Sequence, residues 1–437
     1  MVKVDYILKA EYVLTMEDSS EPLIDGAVAV DGDRIVTVGP ADVIDKEYSA
    51  SSVIDGGRGV IMPGLINTHT HAAMVYFRGM ADDIPLKTWL EEHIWPAETK
   101  WLGNEFVRDA TELACLEMIK SGITTFNDMY FFGDASAESV HKTGIRAVLG
   151  AGILDFPSVA ASTSDEYFDK AEEFIGRFID DPLVTPCIAP HAPYTCSPDT
   201  YRRAVKLAEK YDVPLHTHLS ETEWEVGEIR KRYGKTPVKY LEDAGALDER
   251  LLAAHCVWLS DEEIEILARY NAGVAHCIMS NLKLASGIAP VVRMLNSGLN
   301  VSFGTDGAAS NNDLDILNEM STAAKLHKAV SGDPTVLNAR TALLMATKYG
   351  AKALRMGDRL GSIQEGYVAD IIVLNLNKAH LTPIYDVYSH MAYSARASDV
   401  EYVMINGRLV LNGGDPVFCS EEEIISRANR WAEKIKG

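Results

Sequence analysis

The chain has 437 residues, 47% of them hydrophobic, which is enough to bury a large core and to build one large domain with an accessory domain. Its 41 Lys and Arg residues stand against 63 Asp and Glu residues, and the formal charge of −22 argues against a nucleic acid or an anionic membrane as the main partner. No stretch approaches the roughly 18 consecutive apolar residues of a membrane span, and the first residues lack the basic segment and apolar core of a signal peptide. We therefore expect a cytoplasmic protein that acts on a small neutral or cationic molecule.

Short β-strand patterns occur at both ends of the chain. An apolar-rich run covers Tyr6 to Met16, and Asp31-Gly32-Asp33 separates two β-branched runs, which is a hairpin signal. Near the other end, Asn406-Gly407 separates a second pair of apolar runs in the same way. Because these β segments flank a long middle, we expect one β-sandwich domain composed of residues 1–62 and 362–420.

The middle of the chain, residues 63–361, alternates apolar strand patterns with helical patterns. Eight strands are predicted: Leu65 to His71, Ile123 to Asp128, Arg146 to Leu154, Val184 to Pro190, Val213 to His218, Leu252 to Val257, Gly273 to Ile278 and Leu299 to Asp306. Eight βα units predict a TIM-type (β/α)8 barrel, whose active site lies at the carboxyl ends of the strands. A doubly wound sheet would also alternate strand and helix, but polar residues at the ends of four predicted strands favour the barrel. Residues 421–437 are predicted to form a C-terminal helix.

The first of these strands ends in Asn67-Thr68-His69-Thr70-His71. Alternate side chains of a strand share one face, so the two histidines form a pair of imidazoles that either bind a metal or are hydrogen-bonded core residues. A catalytic zinc needs about three protein ligands and an open position for water. The end of the fifth strand offers His218 and the end of the eighth offers Asp306. Together the four residues predict a site for one divalent metal ion, zinc, with iron as the alternative.

The remaining polar residues of the predicted rim have two interpretations each. Asp306 is a metal ligand and base, or it caps a turn. Glu221, three residues after the fifth-strand histidine, shuttles protons or simply begins a helix. His255 ends an apolar run, where a charged imidazole would be costly, so we expect it to have a partner or to orient the attacking water. We interpret His216 and His276 as buried, hydrogen-bonded core residues.

These motifs resemble those of the amidohydrolase superfamily, in its mononuclear-metal branch of aminohydrolases and chlorohydrolases. The matching segments are Pro63 to His71 on the first strand, His218 to Glu221 after the fifth and Gly304 to Gly307 after the eighth, and the resemblance covers essentially the whole chain. The fourth strand, Val184 to Pro190, contains no lysine of the kind carbamylated in the binuclear branch, which favours one metal ion. Within the branch the chain is most similar to the 5-methylthioadenosine/S-adenosylhomocysteine deaminases, and this similarity implies a homo-oligomer, either a dimer or a tetramer.

The same resemblance implies which residues contact the substrate. In those deaminases a Trp, a Glu and a His in segments like those around Trp89, Glu98 and His191 contact the nucleoside. Glu221 and Ser310 are further substrate-binding candidates. An indole covers apolar surface and a carboxylate can accept both ribose hydroxyls, so the assignments are physically reasonable. Without the resemblance, Trp89 and Glu98 would be interpreted as ordinary residues of a helix that has one buried and one solvated face.

The predicted function is hydrolytic deamination of an adenine nucleoside to the inosine analogue and ammonia. In this hypothesis the metal activates water for attack on C6, Asp306 takes the water's proton, Glu221 protonates the neighbouring ring nitrogen and His255 orients the nucleophile. The alternatives are deamination or dechlorination of another amino-heterocycle (guanine, cytosine, pterin or triazine) and a non-catalytic scaffold on the same barrel.

One departure from the resemblance bears on the substrate. Relatives that accept S-adenosylhomocysteine carry an Arg near the end of the third strand, whereas this chain reads Val148-Leu149-Gly150-Ala151-Gly152. The missing guanidinium removes a bidentate partner for the amino-acid carboxylate. We therefore expect 5′-methylthioadenosine or adenosine to be preferred, and the sequence leaves open whether Arg146 replaces the missing residue.

Overall fold

A computed structural model of the protein describes residues 1–17 and 20–436. Its strands are β1 Val2–Val13, β2 Leu23–Asp31, β3 Arg34–Pro40, β4 Tyr48–Asp55, β5 Gly59–Pro63, β6 Leu65–Thr70, β7 Ile123–Tyr130, β8 Arg146–Ile153, β9 Val184–Pro190, β10 Leu215–Leu219, β11 Leu251–His255, β12 Gly273–His276, β13 Asn300–Phe303, β14 Ile371–Asn375, β15 Val400–Ile405, β16 Arg408–Asn412 and β17 Asp415–Pro416.

The helices lie mostly between the strands of the middle region. The α-helices are α1 Ala41–Glu47, α2 Leu86–Thr88, α3 Trp95–Trp101, α4 Asn104–Lys120, α5 Gly133–Thr143, α6 Ser164–Phe178, α7 Pro198–Tyr211, α8 Glu223–Tyr233, α9 Pro237–Ala244, α10 Asp261–Arg269, α11 Ile278–Lys283, α12 Val291–Asn296, α13 Ile316–Ser331, α14 Ala339–Ala346, α15 Lys348–Ala353, α16 Val387–Tyr393 and α17 Glu421–Lys436. A π-helix covers Trp89–Ile94, and 3₁₀ helices cover Ala72–Phe77, Ala379–Leu381 and Ala397–Asp399. No helix among the described residues combines the length and the apolar character needed to cross a membrane.

Strands β6 to β13 form the predicted barrel. They pair in parallel in sequence order, and the backbone N–H of Asp306 donates to the carbonyl of His69 (2.9 Å), which brings the end of the last strand against the first. Most of these strand residues are buried because both faces of a parallel sheet are covered, which explains why they read as continuous apolar runs. The fold prediction is confirmed, although most strand bounds differ by one to three residues, with the largest difference at the end of the eighth strand. That strand ends at Phe303, and Asp306 lies in the following loop with a left-handed φ of 61°.

The small β domain is also confirmed. Nine strands from both ends of the chain form one mixed sheet, in which β1 pairs with β2 along one edge and with β4 and then β5 along the other. Side chains from both parts of this sheet, including Leu8, Val30, Ile61 and Met404, pack into one apolar cluster. The two predicted hairpin turns meet at the surface of the domain: a Cβ on Gly407 would overlap the carbonyl oxygen of Gly32. The domain limits 1–62, 362–420 and 63–361 stay predictions.

Several hydrogen bonds join the β domain and the C-terminal helix to the barrel. Arg146, at the start of β8, donates to Asp370 (3.0 Å) and to Asn406 (3.3 Å) of the β domain. The C-terminal helix α17 lies on the barrel helix α4, where Trp431 Nε1 donates to Asp109 (3.1 Å). The last residue of the predicted C-terminal helix, Gly437, lies outside the described residues.

Candidate active site

The four predicted metal ligands meet at the carboxyl ends of the barrel strands. His69, His71, His218 and Asp306 each offer one ligand atom, and these atoms all lie within 4.8 Å of one another. Asp306 Oδ1 lies 3.4 Å from His69 Nε2 and 3.3 Å from His71 Nε2. The Nε2 atoms of His71 and His218 are 3.2 Å apart. Three imidazole nitrogens and one carboxylate oxygen therefore surround a single point, as a divalent cation requires.

Backbone carbonyls set which nitrogen each of two histidines presents. His71 Nδ1 donates to the carbonyl oxygen of Met129 (2.6 Å), and His218 Nδ1 donates to that of His191 (2.8 Å). In the neutral ring only one nitrogen carries a proton, so both Nε2 atoms are left as unprotonated acceptors that face the shared point. Burial holds the pKa of His218 well below its usual value, and the neutral form that a metal ligand needs is favoured.

His69 contributes an orphaned nitrogen to the same point. Its Nε2 atom is buried and has no hydrogen-bond partner among the described residues. On the other side of the ring, His69 Nδ1 lies 3.0 Å from His216 Nε2, and the side-chain amide of Asn127 lies 3.0 Å from His216 Nδ1. Burial lowers the pKa of His69 to about 4, so its ring is neutral at pH 7. A buried polar atom without a partner is costly, and a bound cation at this point would supply the missing contact.

Two serines and a backbone amide hold the carboxylate of Asp306. Ser280 Oγ and Ser310 Oγ each lie 2.7 Å from Asp306 Oδ2 and donate to it, and the Gly307 N–H donates to Oδ1 (2.8 Å). Burial would raise the pKa of Asp306, but the neighbouring His69 and His71 hold it well below its usual value. Asp306 therefore stays ionised with one oxygen turned toward the three histidines, as a monodentate ligand would be.

Glu221 and His255 lie beside the predicted metal point. His255 Nε2 is 3.9 Å from Glu221 Oε2, and Asn281 Oδ1 accepts from His255 Nδ1 (2.9 Å). Burial raises the pKa of the Glu221 carboxyl, and Ser286 Oγ donates to its Oε1 (3.3 Å). Burial alone would lower the pKa of His255, but the charges of Glu221 and Asp306 raise it above its usual value. Both shifts favour the protonated forms, so the Glu221 carboxyl takes up a proton more readily than usual and the adjacent His255 imidazole releases its proton less readily.

A cavity of about 320 Å³ opens over this cluster. The predicted substrate contacts Trp89, Glu98, His191 and Ser310 all line it, together with His71, Glu221, His255 and Asp306. Its other walls are mostly apolar and include Leu86, Leu90, Trp95, Met129, Phe131, Ile153, Leu154, Phe156, Pro157, Val159, Tyr194 and Leu284. All the predicted site residues except His69 therefore line one cavity.

Within the cavity, Glu98 is not on a solvated helix face. Its side chain is buried, and Tyr130 donates its hydroxyl hydrogen to Glu98 Oε1 (2.8 Å). Burial raises the pKa of Glu98 to about 7. Trp89 is also buried, while His191 is half-buried and its Nδ1 lies 2.9 Å from the hydroxyl of Thr195. The π-helix over residues 89–94 precedes α3 and thereby places Trp89 and Glu98 on the same cavity wall.

Several residues of the cluster could not be found from the sequence. Tyr130, Ser280, Asn281 and Ser286 contact Glu98, Asp306, His255 and Glu221, respectively. None of the four belongs to a motif, and each lies 26 or more residues from its partner along the chain. Only the order of the barrel strands brings them together. Ser280 and Asn281 lie in helix α11, just after the carboxyl end of the seventh barrel strand, so the location of active sites in barrels was a general signal for them.

Arg146, whose role the sequence left open, and the two histidines interpreted as core residues all have buried partners. Arg146 is paired with Asp370 at the amino end of β8, so it does not line the cavity and does not replace the missing third-strand Arg. His216 is a core residue between His69 and Asn127. His276 Nε2 lies 3.1 Å from His327 Nε2, and both rings are buried.

A comparison with known families decides the classification of this barrel. The model of the amidohydrolase family matches residues 60–410, which cover the whole barrel and the strands on both sides of it. The chain belongs to the amidohydrolase family. It is therefore a hydrolase of the class that acts on C–N bonds, and the motifs that suggested this family are the ones that surround the cavity.

Similar amidohydrolases include named deaminases. The 5-methylthioadenosine/S-adenosylhomocysteine deaminase of Thermodesulfovibrio yellowstonii is 53% identical over 99% of both chains. The 5′-deoxyadenosine deaminase of Methanosarcina barkeri is 45% identical over 99% of this chain and 98% of its own.

Solved structures of amidohydrolases have the same fold. An adenosine deaminase from Xanthomonas campestris with bound zinc covers 100% of this chain and 99% of its own at 40% identity, with a TM-score of 0.98. Atrazine chlorohydrolase from Arthrobacter aurescens, complexed with zinc, covers 98% of this chain and 100% of its own at 26% identity, with a TM-score of 0.92.

Proposed function

We propose that this amidohydrolase deaminates adenine nucleosides hydrolytically, with one zinc ion held by His69, His71, His218 and Asp306. The observation that carries the proposal is the convergence of these four ligand atoms within 4.8 Å at the floor of a cavity that also contains Glu221 and His255. The orphaned Nε2 atom of His69 and the neutral state of the buried rings fit a metal ion. The names of the similar deaminases support the choice of an adenine nucleoside, and the zinc-bound relatives support the choice of metal.

The chemistry divides between three side chains. A divalent metal ion at this point supplies Lewis acidity, which lets water act as a nucleophile near neutral pH. Asp306 accepts a proton from the attacking water on its carboxylate, and His255 orients the water through Nε2 because Asn281 fixes its Nδ1. Glu221 donates a proton to the ring nitrogen beside C6, for which its raised pKa suits it. The amino group then takes the proton held by Asp306 and leaves C6 as ammonia, and the C6 hydroxyl returns a proton to Glu221 as it becomes the carbonyl of the inosine analogue.

The cavity walls would hold the nucleoside. Glu98 Oε1 is occupied by Tyr130, but a carboxylate has further lone pairs, so the group can still accept both ribose hydroxyls. Trp89 covers apolar surface of the nucleoside, and His191, with Nδ1 held by Thr195, presents Nε2 to the cavity. Ser310 contacts the substrate less directly, because its hydroxyl is already committed to Asp306.

The charge of the cavity favours an uncharged 5′ substituent. None of the described residues that line it is Lys or Arg, while Glu98, Glu221 and Asp306 are all acidic. A carboxylate entering this apolar and acidic space would lose water without gaining a cationic partner. We therefore propose that 5′-methylthioadenosine and adenosine are better substrates than S-adenosylhomocysteine. The names of similar deaminases include substrates with an uncharged 5′ substituent as well as S-adenosylhomocysteine.

Ultraviolet spectroscopy tests the proposal directly. Conversion of adenine to hypoxanthine changes the absorbance spectrum, so the purified zinc-loaded protein is mixed in turn with 5′-methylthioadenosine, adenosine and S-adenosylhomocysteine. We expect spectral conversion of the first two at higher kcat/KM than the third. The absence of any change with adenine nucleosides, together with turnover of guanine, cytosine, a pterin or a triazine, would contradict the nucleoside assignment. The homo-oligomer, dimer or tetramer, stays a prediction that the sedimentation velocity of the same sample would test.

A further inference from the structure

The turn that carries Glu221 has an unusual backbone. Strand β10 ends at Leu219 and helix α8 begins at Glu223, so only three residues connect them. The first of the three, Ser220, has a left-handed φ of 50°, which is uncommon for a residue with a side chain. The direction in which Glu221 enters the cavity therefore depends on a strained turn that needs support.

Glu225 supplies that support from the first turn of α8. Its Oε1 accepts the backbone N–H of Ser220 (2.9 Å), and its Oε2 accepts the backbone N–H of Glu221 (2.9 Å). The Glu225 side chain is fully buried at 0% exposure. Both carboxylate oxygens are thus used on two consecutive amides of the same turn.

This arrangement differs from ordinary helix capping. In a capping box the glutamate at the third helical position returns to the N–H of the N-cap residue itself. Here the N-cap is Thr222, whose hydroxyl already accepts the N–H of Glu225 (3.2 Å), whereas the Glu225 carboxylate reaches past it to the two preceding residues. Glu263 on α10 shows the ordinary form, because it accepts the N–H of its own N-cap, Ser260 (2.9 Å).

The placement of Glu225 is costly. Burial and, more weakly, the neighbouring carboxyl of Glu221 raise the pKa of Glu225 to about 7. A neutral side chain would cap the helix without placing two buried carboxyls together. The side chain of Glu221 is held loosely, since Ser286 Oγ lies 3.3 Å from its Oε1 and His255 Nε2 lies 3.9 Å from its Oε2. The backbone of the turn has one further contact, because the Trp258 backbone N–H donates to the Ser220 carbonyl (2.9 Å).

We propose that Glu225 is a positioning residue for Glu221, and that its two hydrogen bonds fix the direction from which Glu221 delivers its proton. This inference rests on the proposed function only in assigning proton transfer to Glu221. Glu225 itself does not line the cavity, so its effect on turnover passes through the turn.

The test compares Glu225→Gln with the matched control Glu263→Gln. The glutamine at 225 offers one acceptor oxygen, so one of the two amides must lose its partner, and a displacement near 1 Å costs roughly 100-fold in rate. We expect kcat to fall about 100-fold in Glu225→Gln with metal content retained and a smaller change in KM, whereas Glu263→Gln keeps the wild-type kcat. A kcat of Glu225→Gln within twofold of wild type, or equal losses in both variants, would overturn the proposal.

Two further variants separate geometry from charge and from folding. Glu225→Asp keeps the charge but shortens the side chain, so it cannot reach both amides and should also lose turnover; full activity would show that only the charge matters and would overturn the proposal. In a Glu221→Gln background, adding Glu225→Gln should cause no further loss, because the residue to be positioned is gone; a second full loss would mean a general structural role. If the wild-type protein deaminates no adenine nucleoside, the proposed function fails, and the ratio of Glu225→Gln to wild type is then measured on the amino-heterocycle that is turned over.

Discussion

His71 and His218 present their Nε2 atoms to each other at 3.2 Å, and each ring is fixed in this tautomer by an Nδ1–H that donates to a backbone carbonyl. Two unprotonated nitrogens at this separation repel each other through their lone pairs. A cation between them and Asp306 converts that repulsion into coordination. Bringing these two nitrogens together is therefore unfavourable by itself, and a bound cation would offset that cost.

Metal removal should lower the stability of the fold as well as stop turnover. Because the ligand set exists only in the native state, zinc at 100-fold its Kd should stabilise the protein by roughly 2.7 kcal/mol. We expect the Tm of chelator-treated protein to rise when zinc is added back, and that of a His218→Asn variant to rise much less. Equal Tm values for the chelated and reloaded wild-type protein would count against the metal site.

Glu221→Gln should separate metal binding from chemistry. The substitution removes the acid that protonates the ring nitrogen but none of the four metal ligands, so metal content should stay at the wild-type level while kcat falls by at least about 100-fold. Glu223→Gln, an exposed neighbour at the start of the same helix, is the control and should keep its activity. Near-normal turnover in Glu221→Gln would refute the proton-transfer role.

Glu98 should impose a pH dependence on nucleoside binding. Its pKa is about 7 because of burial, so the carboxylate that accepts ribose hydroxyls forms only as the pH rises through 7. We expect kcat/KM for 5′-methylthioadenosine to increase over this range, and the increase to be absent in Glu98→Gln. With 2′,3′-dideoxyadenosine, which lacks both hydroxyls, the step should also disappear; an unchanged pH profile in Glu98→Gln would exclude Glu98 as its source.

Glu98 should also make the stability of the fold depend on pH, but here a rise in pH is unfavourable, whereas it favours nucleoside binding. Its folded pKa lies above the ordinary 4.5, so between pH 4.5 and about 7 the native state holds a proton that the unfolded chain has released. The stability that Glu98 contributes is therefore full at low pH and decreases as the pH rises through 7. The free energy of unfolding of Glu98→Gln should accordingly depend less on pH than that of the wild type.

Arg146 should prove to be structural. Its guanidinium and the Asp370 carboxylate are both buried, and removing one partner of a buried pair costs roughly 3–5 kcal/mol. We expect Arg146→Met to lower the free energy of unfolding by about this amount, measured by urea denaturation, without changing the ratio of kcat/KM for 5′-methylthioadenosine and S-adenosylhomocysteine. A selective loss of S-adenosylhomocysteine turnover would instead show that Arg146 acts on the substrate.

The barrel and the cluster of four candidate metal ligands could be predicted from the sequence, because both follow from local patterns. Strand alternation places His69 and His71 on one face, and the barrel rule places His218 and Asp306 at the same rim. The supporting contacts of Ser280 with Asp306 and of Asn281 with His255 were not predictable, because each joins residues 26 positions apart with no motif between them. Glu225 stands only four residues after Glu221, but the local sequence pattern predicts a helix cap and not its hydrogen bonds to the turn that carries Glu221.

Release of ammonia from 5′-methylthioadenosine tests the central claim most directly. The protein is assayed as chelated apoprotein and again after reloading with zinc, with Glu221→Gln carried through the same steps. We predict stoichiometric release of ammonia and the inosine analogue by the reloaded wild type, none by the apoprotein, and release at least about 100-fold slower by Glu221→Gln. Equal ammonia release by the apoprotein and the reloaded protein would contradict a deamination that depends on this metal site.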